Sequence, residues 1–229
     1  MNGFDFDVIA RSWVYLFRDG MTFTLKLTAL STLGGLFLGT LLALCRVAGL
    51  KPLSTIAGLY VNLLRALPLI LVIFWFYFLV PYIGAWVTGS DRPVAVGGFT
   101  SALITFTLFE AAYFCEIMRA GIQSVPRGQV AAGYALGFTY WQVMRNVVLP
   151  QAFRNMTPVL LTQVIVLFQD TSLVYVLSLT DFLGAAVKVA QRDGRLIEMY
   201  MFVAVVYFII SYAASLLVRY LRRHTEIAR

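Results

Sequence analysis

Apolar runs dominate the chain, and the charges that interrupt them mark where each run ends. Nineteen uncharged residues lie between Lys26 and Arg46, 25 between Arg65 and Asp91, and 20 between Glu198 and Arg219. A helix rises about 1.5 Å per residue, so about 20 residues cross a hydrocarbon core of about 30 Å. Two further stretches are apolar enough to cross but carry charges that lipid-facing helices avoid. One, at about 96–121, holds Glu110, Glu116 and Arg119; the other, at about 155–179, holds Asp170. The pattern predicts an all-α integral membrane fold, a single transmembrane domain over 1–229. Its five spans are about 21–47, 55–82, 96–121, 155–179 and 197–221. Pro68 either kinks the second span or marks its true start. Ahead of the first span, Phe6, Ile9, Trp13, Leu16 and Phe17 recur at helical spacing among Asp5, Asp7, Arg11 and Arg18. That stripe fits an amphipathic helix lying in the membrane interface or one packed on the bundle.

Composition agrees with lipid as the main solvent. Hydrophobic residues make up 60% and charged residues 13%, too few charges to coat a soluble fold. The net charge of +7 does not by itself point to nucleic acid; in a membrane protein the placement of Lys and Arg sets the orientation. With the N-terminus outside, eleven of the 18 Lys and Arg fall inside and seven outside, and Arg219, Arg222 and Arg223 cluster after the last span. The expected topology has a periplasmic N-terminus, a cytoplasmic C-terminus and a cytoplasmic loop over 122–154. Cys45 and Cys115 sit in apolar runs without ligand spacing, so neither a disulfide nor a metal site is expected. His224, in the basic tail, reads as a solvated residue. The acidic start, with Asp5 and Asp7 and no basic n-region, does not read as a cleavable signal peptide.

The long loop is the informative segment. Pro126-Arg127-Gly128 reads as a turn, and Gln129 to Leu136 as a short Ala-rich helix that Gly137 can end with a left-handed cap. Thr139-Tyr140-Trp141-Gln142 has the Thr-x-x-Gln form of a capping box opening a second helix, which Pro150 is expected to close. Two short helices offering Trp141, Met144 and Val148 would form a knob for a groove on a soluble partner.

This loop resembles that of the ABC importer permeases, whose pattern is Glu-Ala-Ala-x3-Gly-x9-Ile-x-Leu-Pro. The matching residues are Ala131-Ala132-Gly133, then Gly137, then Val147-Val148-Leu149-Pro150. Ala131 stands where the family has its acid, and Gly133 where it has an alanine. Other segments resemble the polar amino acid branch. They are Arg65-Ala66-Leu67-Pro68-Leu69, Glu116-Ile117-Met118-Arg119-Ala120-Gly121-Ile122, Ser124-Val125-Pro126-Arg127-Gly128-Gln129 and Leu149-Pro150-Gln151-Ala152. The run Phe168-Gln169-Asp170-Thr171-Ser172-Leu173 and its continuation to Ser178 look most like the glutamate/aspartate permeases.

The resemblance implies a multi-pass protein of the bacterial inner membrane with the type I importer permease fold. It forms half a pathway and pairs with a second, similar permease. Two ATPase subunits bind the loops, and a periplasmic binding protein delivers glutamate or aspartate, or another polar amino acid. The implied ATPase contact is the loop itself: Gly128, Gln129, Ala131, Ala132, Gly133, Gly137, Trp141, Met144, Val147, Leu149 and Pro150. The chain has no Gly-x4-Gly-Lys-Ser/Thr, so ATP and Mg²⁺ are expected on the partner and no cofactor here.

Pathway or gate candidates are the polar groups at membrane depth. Glu116 and Arg119 share a helix face and read as a local ion pair or as a gate. Arg65 either snorkels to headgroups or draws an acidic substrate to the inner mouth. Asp170, with Thr171 and Ser172 behind it, reads as a cap at a helix break or as part of the path. Glu110 is the other acid at membrane depth, costly there unless paired or hydrated. An anionic substrate is repelled by both acids, so Gln163, Gln169, Thr171 and Ser172 are the better contacts. An intramembrane enzyme lacks a nucleophile and base pair here. A secondary transporter would show internal repeats, which are not detectable.

Overall fold

The computed structural model describes residues 4–47 and 51–225, with side chains to Arg222. Arg223, His224 and Arg229 of the basic tail lie outside the described side chains. Helices account for nearly all of the described backbone. They are α1 (Asp7–Tyr15), α2 (Thr22–Val47), α3 (Lys51–Ala66), α4 (Leu69–Thr88), α5 (Gly98–Gln123), α6 (Arg127–Ala135), α7 (Tyr140–Val143), α8 (Leu149–Asp170), α9 (Phe182–Asp193) and α10 (Leu196–Thr225). Among the described residues, five helical stretches are long and apolar enough to cross a membrane: Asp7–Val47, Leu69–Thr88, Gly98–Gln123, Tyr140–Leu177 and Leu196–Arg222.

The second span differs from the expected 55–82. Pro68 is extended (ψ 129°), so α3 stops at Ala66 and α4 starts at Leu69. Proline disfavours a helical conformation in the residue before it, which is why the break falls there. The crossing helix is α4 alone. α3 packs beside α2 and α5, burying Ala57, Val61 and Leu64, and the Tyr60 hydroxyl donates to the Leu108 carbonyl at 2.7 Å.

α2 and α5 make the most extensive contact of the bundle. Gly35 and Gly39, four apart, bring the α2 backbone onto α5. A Cβ on Gly39 would stand 2.9 Å from the Phe114 Cβ and 3.0 Å from the Ala111 carbonyl oxygen. Small residues at this spacing replace the hydrophobic drive that is missing between helices in lipid. Cys115 is buried in the same seam.

The N-terminal stripe resolves into packing. α1 runs through a π-helical turn (Leu16–Met21) straight into α2. The turn adds a residue to the helical repeat and shifts the register. Val8 and Leu16 are buried against Phe182, Ala186 and Met199 of α9 and α10, and Ile9 and Phe17 pack on that core. Phe6 and Trp13 remain exposed, at 72% and 50%. Arg11 pairs with Asp193 at 3.2 Å and Arg195 with Asp5 at 3.4 Å, fastening α1 to the α9–α10 corner.

Candidate translocation face and coupling loop

The loop is built on two caps. Gly137 adopts a φ of +82°, where a side chain is strained, and its N–H donates to the Tyr134 carbonyl at 2.9 Å. Thr139 and Gln142 form the reciprocal box: the Gln142 N–H donates to Thr139 Oγ1 at 3.4 Å, and the Thr139 N–H donates to Gln142 Oε1 at 2.8 Å. Pro150 does not close the second helix. A π-helical turn (Met144–Val148) joins α7 to α8 without a break, and Pro150 lies directly after it, where the widened turn accommodates a residue without an N–H. The loop is thereby rigidly continuous with a membrane span.

The surface it offers also differs from expectation. Val148 is buried, and Met144 and Val147 pack with Val125, Val143 and Ala152 in the loop's own core. Gly133 faces this core: a Cβ there would meet Val143 Cγ2 at 3.0 Å, which accounts for glycine at a position where alanine fits the family pattern. What projects is Leu136 and Trp141, 75% and 77% exposed, with Tyr134 and Tyr140 beside them. Gly128, Gln129, Ala131 and Ala132 are exposed, so a carboxylate at Ala131 would have pointed outward.

Four charged groups meet where α2, α3 and α5 converge. Glu116 accepts from Arg46 Nη1 at 2.6 Å and from Arg119 Nε at 3.0 Å, and Arg119 Nη2 reaches its other oxygen. Arg65 Nη1 stands 3.9 Å from Glu116, and its guanidinium lies over the Tyr113 ring, 5.6 Å from the centroid. The expected Glu116–Arg119 pair is thus a node across three helices with a surplus of two positive charges. Sequence reading missed Arg46, because its partner is 70 residues away.

Deeper in the bundle, the candidates separate. Glu110 is fully buried and lines no open space. Its two carboxyl oxygens accept from Gln163 Nε2 at 3.3 and 3.2 Å, so it fixes the partly exposed Gln163 from behind. Thr171 is also fully buried, and its hydroxyl donates to the Phe168 carbonyl at 2.7 Å, which removes it from the substrate contacts. Asp170 makes no side-chain cap; the break from α8 into the 3-10 turn (Thr171–Leu177) is held by Thr171. Gln169 is exposed and Ser172 partly so. Asn155, Thr162 and Gln169 recur every seven residues on the exposed side of α8, a heptad signal legible in the sequence but overlooked. Thr171→Val is expected to destabilise the helix break by about 1 kcal/mol, and Asp170→Asn to leave it intact. Thermal unfolding of the purified variants in detergent checks this, and equal loss in both would refute it.

An α-helical bundle with a capped helical loop rigidly joined to a polar-faced span is the architecture of a type I ABC importer permease. Residues 35–227 match the family described as binding-protein-dependent transport system inner membrane component. The chain belongs to that family and is a multi-pass inner-membrane protein. It is 50% identical over 98% of its length to all of the glutamate/aspartate import permease protein GltK of Escherichia coli O6:H1. The probable glutamine ABC transporter permease protein GlnM of Bacillus subtilis is 32% identical, with 92% of this chain and 94% of that protein covered. Among solved structures, an amino acid ABC transporter crystallised with histidines superposes with a TM-score of 0.86 at 31% identity. That match covers 98% of this chain and 100% of the other.

Proposed function

We propose that this chain is a permease subunit of an ATP-driven importer and forms half of the pathway for glutamate and aspartate. The observation that carries the substrate is the 50% identity, without truncation, to a glutamate/aspartate import permease. The other half of the path is a second permease, and a periplasmic binding protein supplies the substrate. Two ATPase subunits hold ATP and Mg²⁺ and seat the Leu136–Trp141 knob. In this reading the loop faces the cytoplasm. The α8 face carrying Asn155, Thr162, Gln163 and Gln169 meets the path, since exposed amides at membrane depth are costly against lipid. Arg65, only loosely held by Glu116, faces the inner mouth, where a carboxylate can exchange onto it. Uptake of radiolabelled glutamate by proteoliposomes holding the full complex tests the assignment. Transport of glutamine in place of glutamate and aspartate would support the other polar amino acid reading.

Orientation has its own test. In a Cys-less background, an impermeant thiol reagent applied to intact spheroplasts should label position 90, in the turn after α4, and spare position 226. The reverse pattern would overturn the topology.

A further inference from the structure

Beyond Leu177 the chain leaves its fourth span on the side away from the loop and turns into α9. The turn is unusual. Ser178 is the sole non-glycine described with positive φ, at 58°, and such left-handed conformations in ordinary residues concentrate at functional sites. One side of α9 is core: Phe182, Ala185, Ala186, Val189 and Ala190 are all buried. The other side borders a cleft of about 270 Å³ whose polar lining is Tyr175, Ser178, Lys188 and Gln191, with Gly184 at its wall. That volume approaches the range of small-molecule sites, about 300 Å³ and upward.

Lys188 is the only cation in the lining. Its Nζ donates to the Thr180 hydroxyl at 2.5 Å, a contact that orients the ammonium without neutralising it. Among the described residues it makes no ion pair. The acid that senses it, Asp181, is fully buried, and its two oxygens accept from the Leu183 and Gly184 N–H groups at 3.0 Å each. Burial pushes the Asp181 carboxyl up to about 7, against the pull of those N–H groups and of Lys188, so its charge answers Lys188 only in part. An exposed ammonium oriented by one hydroxyl at the edge of an open polar cleft, with N–H donors to spare and hydroxyl and amide groups around it, is complementary to a carboxylate arriving from solvent.

We infer that this cleft is an entry subsite in which Lys188 takes a carboxylate of the acidic amino acid as it leaves the binding protein. The inference rests on the permease reading above and adds a residue that sets substrate charge. In that topology the cleft opens on the periplasmic side, ahead of the helix break at Asp170–Thr171.

The test uses the reconstituted full complex with saturating binding protein and radiolabelled glutamate. Lys188→Gln should lower the maximal uptake rate about tenfold or more, the scale of one lost charge-assisted hydrogen bond. Lys188→Arg should keep most of the rate, and Thr180→Val, which frees the ammonium, should lower it a few-fold. The half-saturating concentration of the binding protein should stay unchanged. Wild-type uptake by Lys188→Gln would overturn the proposal. So would a loss confined to binding-protein half-saturation, which would make Lys188 a docking contact. So would a matching loss of basal ATPase activity and of monodispersity in detergent, which would make its role structural. Failure of the permease reading shows separately, in the wild type, as uptake of neither glutamate nor aspartate; failure of the subsite alone leaves wild-type uptake intact.

Discussion

Gly137→Val is expected to leave the permease inserted in the membrane and to abolish most uptake. The φ of +82° at Gly137 is the sharp bend between α6 and Thr139, and nothing stands within 4 Å of where a Cβ would go. The damage is therefore conformational and not steric crowding by neighbours. A β-branched residue is strained in this region, so the bend relaxes and the capping box at Thr139 and Gln142 is displaced. Leu136 and Trp141 flank the bend and would lose their relative placement. Asparagine tolerates left-handed backbone, so Gly137→Asn should keep most of the activity. Affinity co-purification of the ATPase beside a membrane-insertion control reads the result. Full ATPase recovery with normal uptake in Gly137→Val would refute the docking role.

Glu116→Ala should be the most destabilising change at the bundle's charged node. It leaves Arg46, Arg65 and Arg119 facing one another with no anion among the described residues between them. Removing one member of a desolvated ion pair costs about 3–5 kcal/mol, and the part-exposed side chains here place the loss toward the lower figure. Roughly 3 kcal/mol corresponds to a fall of about 6–12 °C in apparent melting temperature for a chain of this size. Glu116→Gln keeps two hydrogen-bond acceptors' worth of geometry at one oxygen and should lose less. Arg46→Ala should lose less again, because Arg119 still satisfies the carboxylate. A melting curve for Glu116→Ala that overlays the wild type would show that the node contributes nothing to holding α2, α3 and α5 together.

Local chemistry made much of the loop legible in advance. The Thr139–Gln142 box and the left-handed Gly137 concern neighbours in sequence, where backbone preferences act within a few residues. The same holds at Pro68, which sets the break between α3 and α4. Pro150 reads as a helix end because proline breaks the regular hydrogen-bond ladder, whereas here a π turn just ahead of it carries the helix from α7 into α8. Met144 and Val148 misled for a related reason. An apolar side chain on a short amphipathic helix can face a partner or the loop's own core, and Val125, Val143 and Ala152 claim it here.

That this protein lives in lipid was already written in the sequence, because the length of an uncharged span answers to hydrocarbon thickness alone. The local bends were written there too, since they are set by residue type. Which polar groups are buried and which are open depends instead on how the helices pack. Glu110 is closed off behind Gln163, Thr171 spends its hydroxyl on Phe168, Arg46 crosses to Glu116, and Lys188 stands exposed at a cleft with no ion pair among the described residues. The physical reason is that a polar group in a membrane protein must find a partner, and the partner lies on another helix whose approach is fixed by packing, such as the close contact of Gly35 and Gly39 with α5.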